Sequence, residues 1–77
     1  MIKKETRMQY MRRMRKVEES TQVFINDDTS IRRSFYDDGG KEINVIEIGN
    51  FDRFEICLVK QEAEKLIEAL QKLVKEL

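Results

Sequence analysis

The feature that most constrains this chain is a change of hydrophobic period near its end. From Phe51 to Val59 the sequence alternates as a strand does, with Phe54, Ile56 and Leu58 two residues apart. From Lys60 onward Ala63, Leu66, Ile67, Leu70, Leu73, Val74 and Leu77 recur at steps of three and four, the spacing of one helical face. No glycine or proline separates the two patterns. A strand and an amphipathic helix each need to bury a face, so a connection this short predicts a helix folded back across a sheet.

The preceding residues supply the sheet. Residues 22–25 read as a short strand and residues 26–29 as a turn, in which Asn26 and the aspartates bond their own backbone. The next strand, residues 31–36, sets Ile31, Arg33 and Phe35 on one face and Arg32, Ser34 and Tyr36 on the other. Asp37, Asp38, Gly39 and Gly40 form the plainest turn signal, because glycine supplies the positive φ that hairpins use. Residues 42–48 alternate imperfectly. Ile43 and Val45 point one way and Ile46 and Ile48 the other, which predicts either a bulge or a strand covered on both faces. Gly49 and Asn50 read as a two-residue hairpin loop.

The expected fold class is therefore α+β: a four-stranded antiparallel meander sheet followed by a C-terminal amphipathic helix, with a basic N-terminal helix or arm. Residues 1–19 form the arm and residues 20–77 the β-β-β-β-α domain. One helix covers one sheet face; the other face, with Val45 or Ile46, Tyr36 and Val59, needs the N-terminal helix or a second copy as its cover. In element order this body resembles the single-stranded-DNA-binding transcriptional positive-cofactor fold, which also runs four antiparallel strands into a C-terminal helix. That resemblance is one of architecture alone; it implies dimerisation through the helix and single-stranded nucleic acid as a partner.

The balanced net charge conceals a division. Residues 1–17 hold seven basic side chains against Glu5, a net of +6, and the remainder holds eight basic and fourteen acidic, a net of −6. The arm contains no glycine or proline and is rich in helix formers; Tyr10, Met14 and Val17, with Met11 beside them, define a thin apolar stripe. Lys3, Lys4, Arg7, Arg12, Arg13, Arg15 and Lys16 of the arm, with Arg32, Arg33 and Arg53 on the strands, are the candidate nucleic-acid contacts. Tyr36, Phe35 or Phe51 would offer the stacking surface. Leu66, Ile67, Leu70, Leu73, Val74 and Leu77 are the candidate self-association or core stripe.

Catalytic signals are absent. The sequence has no histidine, the commonest general base and metal ligand, so neither its serines nor Cys57 has an activating partner. Asp27-Asp28 and Asp37-Asp38 coincide with turns and lack the spacing of a calcium loop, and Gly39-Gly40 lacks the remainder of a phosphate loop. No enzyme activity, cofactor or metal is expected. A single cysteine excludes an internal disulfide and fits a reducing cytoplasm, and no apolar run approaches the ~20 residues of a membrane span. The expected function is that of a small non-enzymatic binding module: a self-associating protein-interaction or regulatory protein of the phage or plasmid accessory type, forming a homodimer and binding a protein partner. The alternative is a nucleic-acid-binding protein that uses the arm and the strand arginines.

Overall fold

The computed structural model describes residues 4–50 and 53–77. The elements are α1 (Arg7–Arg12), β1 (Arg15–Glu19), β2 (Val23–Phe24), β3 (Thr29–Asp38), β4 (Lys41–Asn50), β5 (Arg53–Leu58) and α2 (Lys60–Val74). The fold is α+β. An antiparallel sheet in the order β1-β3-β4-β5, with β2 also paired to β3, runs into the C-terminal helix and is preceded by the N-terminal one.

The arm departs from its expected helix. Thr6 caps α1 with a reciprocal pair: its Oγ1 accepts the Gln9 N–H at 3.2 Å, and Gln9 Oε1 accepts the Thr6 N–H at 2.9 Å. The helix then ends at Arg12, and Arg15–Glu19 joins the sheet against β3. Helix propensity is a weak preference, and here the sheet ladder outweighs it. The stripe differs as well: Met8 and Met11 are buried while Tyr10 and Val17 remain exposed.

Register assigns the faces. On the inner face Tyr36 lies opposite Ile43, Ser34 opposite Val45, and Arg32 opposite Glu47, which in turn faces Cys57. Met8 and Met11 of α1 close over this face and pack with Tyr36, Val45 and Cys57 into one buried cluster, flanked by Met14, Ile43 and Val59. The cover is thus the N-terminal helix. On the outer face Ile31, Ile48 and Ile56 form one row across three strands, and Arg33, Ile46 and Leu58 form the next. The broken alternation of β4 therefore reflects apolar side chains on both faces.

A bulge sits between β4 and β5. Ile48 pairs with Ile56 but Gly49 pairs with Phe54, so Glu55 is the extra residue. The extra residue turns Phe54 onto the inner face with Cys57, whereas simple alternation placed Phe54, Ile56 and Leu58 together. A Cβ on Gly49 would stand 2.3 Å from the Arg53 carbonyl oxygen, so only glycine allows this approach. Asn50 pairs with Arg53, so the reversal follows Asn50 and does not fall at Gly49-Asn50. The β3–β4 turn is as expected: Gly39 and Gly40 have φ of 61° and 97°, and Asp37 Oδ1 accepts the Gly40 N–H at 2.8 Å.

At the start of α2, Glu62 accepts the Val59 N–H at 3.0 Å. The helix then leaves the sheet, and none of its residues is buried. The radius of gyration is 14.0 Å, against about 11.5 Å for a compact chain of this length. Among the described residues no helix is long and apolar enough to cross a membrane.

Candidate interaction surface

The cations named as nucleic-acid contacts are distributed over several surfaces, and most meet carboxylates of the same chain. Arg7 forks onto Glu62, with one nitrogen 3.1 Å from Oε2, and donates to the Cys57 carbonyl at 2.9 Å. Arg12 donates to the Phe54 carbonyl at 3.4 Å. These two carbonyls belong to β5, an edge strand, so the arm arginines cap backbone acceptors that would otherwise face water. Arg13 pairs with Glu5, Arg15 with Asp37, Arg33 with Glu18, and Arg53 approaches Glu55 at 3.9 Å. Arg32 turns to the inner face and its neighbour Arg33 to the outer one. Lys4 is exposed, and Lys3 and the stacking candidate Phe51 lie outside the described residues.

The inner face is organised by a residue that the sequence marks only as a carboxylate on which the arm could fold back, not as a site candidate. Glu47 has no exposed surface. Its Oε1 accepts from Arg32 Nε at 2.8 Å, from Lys16 Nζ at 3.4 Å and from Ser34 Oγ, and its Oε2 accepts from Tyr36 Oη at 2.5 Å. Burial pushes its carboxyl up, but the hydrogen bonds from Ser34, Tyr36 and Arg32 and the charge of Lys16 outweigh burial and hold it at about 2. Burial, reinforced by the same carboxylate, moves the Tyr36 phenol well above its usual value, so it stays a donor. The available signal was positional: with Ile43 and Val45 facing inward, residue 47 must follow them at the same parity.

Cys57 is a buried free thiol pushed up to about 11, chiefly by burial, with Glu47 adding to the effect. Both effects disfavour its thiolate at neutral pH. Among the described residues no three acidic or thiol side chains converge as a metal site.

The outer surface has the opposite character. Leu66 is half-buried, but Ile67, Leu70, Leu73 and Val74 are each more than half exposed and Leu77 is fully so. Beside them Ala63 and Ile67 of α2 and Ile46 of β4 line a groove of about 440 Å³ that α2 leaves as it diverges from the sheet. Ile56, at the end of the isoleucine row, is 51% exposed. The stripe is therefore not a core stripe of the isolated protomer. The accessible surface totals 6566 Å², where a folded monomer of this mass has about 4,900 Å².

Comparison of the chain with protein-family models, with curated proteins and with solved structures found no match. The element-order resemblance to the positive-cofactor fold accordingly transfers no residue roles, and here the sheet has a fifth strand drawn from the arm.

Proposed function

We propose that this chain is a non-enzymatic binding module that works as a homodimer, its two copies joined through α2 and the outer face of the sheet. The observation that carries this reading is the surplus of surface. The protomer exposes about 1,600 Å² more than its mass calls for, and a stable interface buries about 800 Å² per partner. Much of the exposed apolar surface is the α2 stripe and Ile56, and soluble monomers seldom expose apolar patches beyond a few hundred Å².

A second copy is the occupant the chemistry favours. Ala63, Leu66, Leu70, Leu73 and Leu77 follow alternating three- and four-residue steps, the seam by which helices pair with helices. The stripe is self-complementary, as a two-fold interface requires. Residues 60–69 carry a net −1 and residues 70–77 a net +1, so an antiparallel pair sets opposite charges side by side. An isolated helix of this length is also marginal in water, and a cover stabilises its last turns. The fold-back of Arg7 onto Glu62 and of Lys16 onto Glu47 supports a binding role other than phosphate-backbone contact for the arm.

Light-scattering mass at two salt concentrations, with and without a short single-stranded oligonucleotide, tests the reading. The expected mass is twice the 9.2 kDa protomer at both salts, unchanged by the oligonucleotide. Leu70→Asp places a charge in the stripe of both copies and should weaken dimerisation by about a hundredfold or more, since each buried leucine contributes ~1.5–3 kcal/mol. Its far-ultraviolet circular dichroism should retain the sheet. A native chain that stays at 9.2 kDa with a cooperative melt overturns the proposal. A mass gain with oligonucleotide that disappears at high salt transfers the function to nucleic-acid binding.

A further inference from the structure

The inner face carries a feature that self-association does not use. A cleft of about 380 Å³ opens beyond the end of α1, and four cations reach it, each from a different element: Arg12 from α1, Lys16 from β1, Arg32 from β3 and Arg53 from β5. Tyr36 and Phe54, 3% and 4% exposed, contribute its aromatic wall. The lining contains two carboxylates, Glu47 and Glu55, and Glu19 pairs with Lys16 and Arg32 from beside it, which leaves an excess of one positive charge.

The cations divide into a fixed pair and an available pair. Arg32 is held by Glu47 and lies 3.7 Å from the Phe54 ring centroid; Lys16 is held by Glu19 and Glu47 and lies 5.4 Å from that of Tyr36. Arg12 and Arg53 stand at the mouth. Arg12 spends one N–H on a long 3.4 Å contact with a carbonyl, and the Nε of Arg53 is 3.9 Å from Glu55, beyond hydrogen-bond distance. Among the described residues each guanidinium thus keeps most of its five donors, and a guanidinium fork matches phosphate oxygens. Glu47 is engaged elsewhere: its Oε1 accepts from Arg32, Lys16 and Ser34 and its Oε2 from Tyr36.

We propose that this cleft binds the phosphate group of a small molecule, with Arg12 and Arg53 as the donors at its mouth and Lys16 and Arg32, seated on the Tyr36 and Phe54 rings, behind them. Two guanidinium forks lining one cleft suit the several oxygens of a phosphomonoester better than a single carboxylate. The volume suits one phosphate and a small body.

Titration of the ¹⁵N-labelled full chain at constant ionic strength tests the site, with inorganic phosphate, adenosine monophosphate and acetate as probes. Saturable shifts centred on Arg12, Lys16, Arg53 and Phe54 are expected, tighter for the nucleotide than for phosphate and absent with acetate. Arg12→Ala with Arg53→Ala should weaken phosphate binding at least about tenfold, the loss expected from removing charge-assisted hydrogen bonds. Arg13→Ala, outside the cleft, should leave it unchanged. Arg53→Ala alone, at a side chain 83% exposed, gives the same direction of effect should the double variant misfold. Unsaturable shifts spread over all exposed basic residues, an equal response to acetate, or full binding by the variants each overturns the proposal. An oligonucleotide that binds far more tightly than the mononucleotide overturns the small-molecule assignment.

Discussion

The two faces of the sheet come from the same strands, one residue out of phase, and they solve the burial problem in different ways. The inner face holds two serines, a tyrosine, an arginine and a wholly buried glutamate, yet it is closed by a helix of only six residues. The outer face carries two aliphatic rows, Ile31-Ile48-Ile56 and Ile46-Leu58 beside Arg33, yet the fifteen-residue α2 lies against it only at its start. The more polar face is the better closed one because Glu47 has a partner on each oxygen, so burial leaves no orphaned charge, and among the described side chains the buried Ser30 Oγ alone lacks a partner. The other face is unfinished because, among the described residues, only the start of α2 lies over it, and water contact with the α2 stripe is what the proposed association removes.

Removing the inner carboxylate should have the largest effect. Glu47→Leu strips the buried Ser34 and Tyr36 hydroxyls of their acceptor and leaves the half-buried Arg32 and Lys16 with Glu19 alone, a loss of about 3–5 kcal/mol. A domain of this size has little more stability than that, so the variant should be largely unfolded by circular dichroism. The measurement belongs in the Leu70→Asp background, where dimerisation does not contribute to the melt. A Glu47→Leu protomer that melts with its parent would show that the helix and not the network holds the inner face.

Acid should act on the same face somewhat less strongly. The Glu47 carboxyl stands at about 2 in the folded chain against 4.5 as its reference value. A depressed carboxyl contributes its full stability above about pH 5 and loses it as pH falls toward 2, roughly 3 kcal/mol in all. Chemical denaturation of the Leu70→Asp protomer between pH 5 and pH 2 should show that decline, and Glu47→Gln should flatten it. A slope unchanged by Glu47→Gln would assign acid sensitivity to other carboxylates.

What the sequence disclosed and what it concealed follow the same division. Period and turn chemistry carried the strands of the main meander, the Gly39-Gly40 turn and α2, because each rests on local preference. The conversion of Arg15–Glu19 into a strand depends on a partner, β3, that local propensity does not register. Phe54 changed faces because Glu55 bulges, and the only trace of that bulge in the sequence is Gly49, which looks equally like a hairpin residue. The stripe of α2 was legible as apolar, but whether a stripe is core or interface depends on the area available to cover it, a property of the assembled protomer. The basic arm was legible as charge, whereas its pairing with Glu62, Asp37 and Glu47 arises only from the fold.

Two adjacent positions on β5 sharpen the contrast with the least disturbance to stability. Cys57 faces inward and is buried, and its thiol, raised to about 11, is ionised in only about one molecule in ten thousand at pH 7. Ile56 faces outward and is half exposed. Thiol labelling of the native chain should therefore be slow at every protein concentration, its rate set by opening of α1 and not by association. Ile56→Cys in a Cys57→Ser background should label rapidly in dilute solution and become protected as concentration rises, because in the proposed dimer that position meets the second copy. Concentration-independent labelling at residue 56 would leave α2 as the sole interface and the isoleucine row open to solvent. Concentration-dependent protection of Cys57 instead would place the dimer contact over α1, on the face that already has a cover.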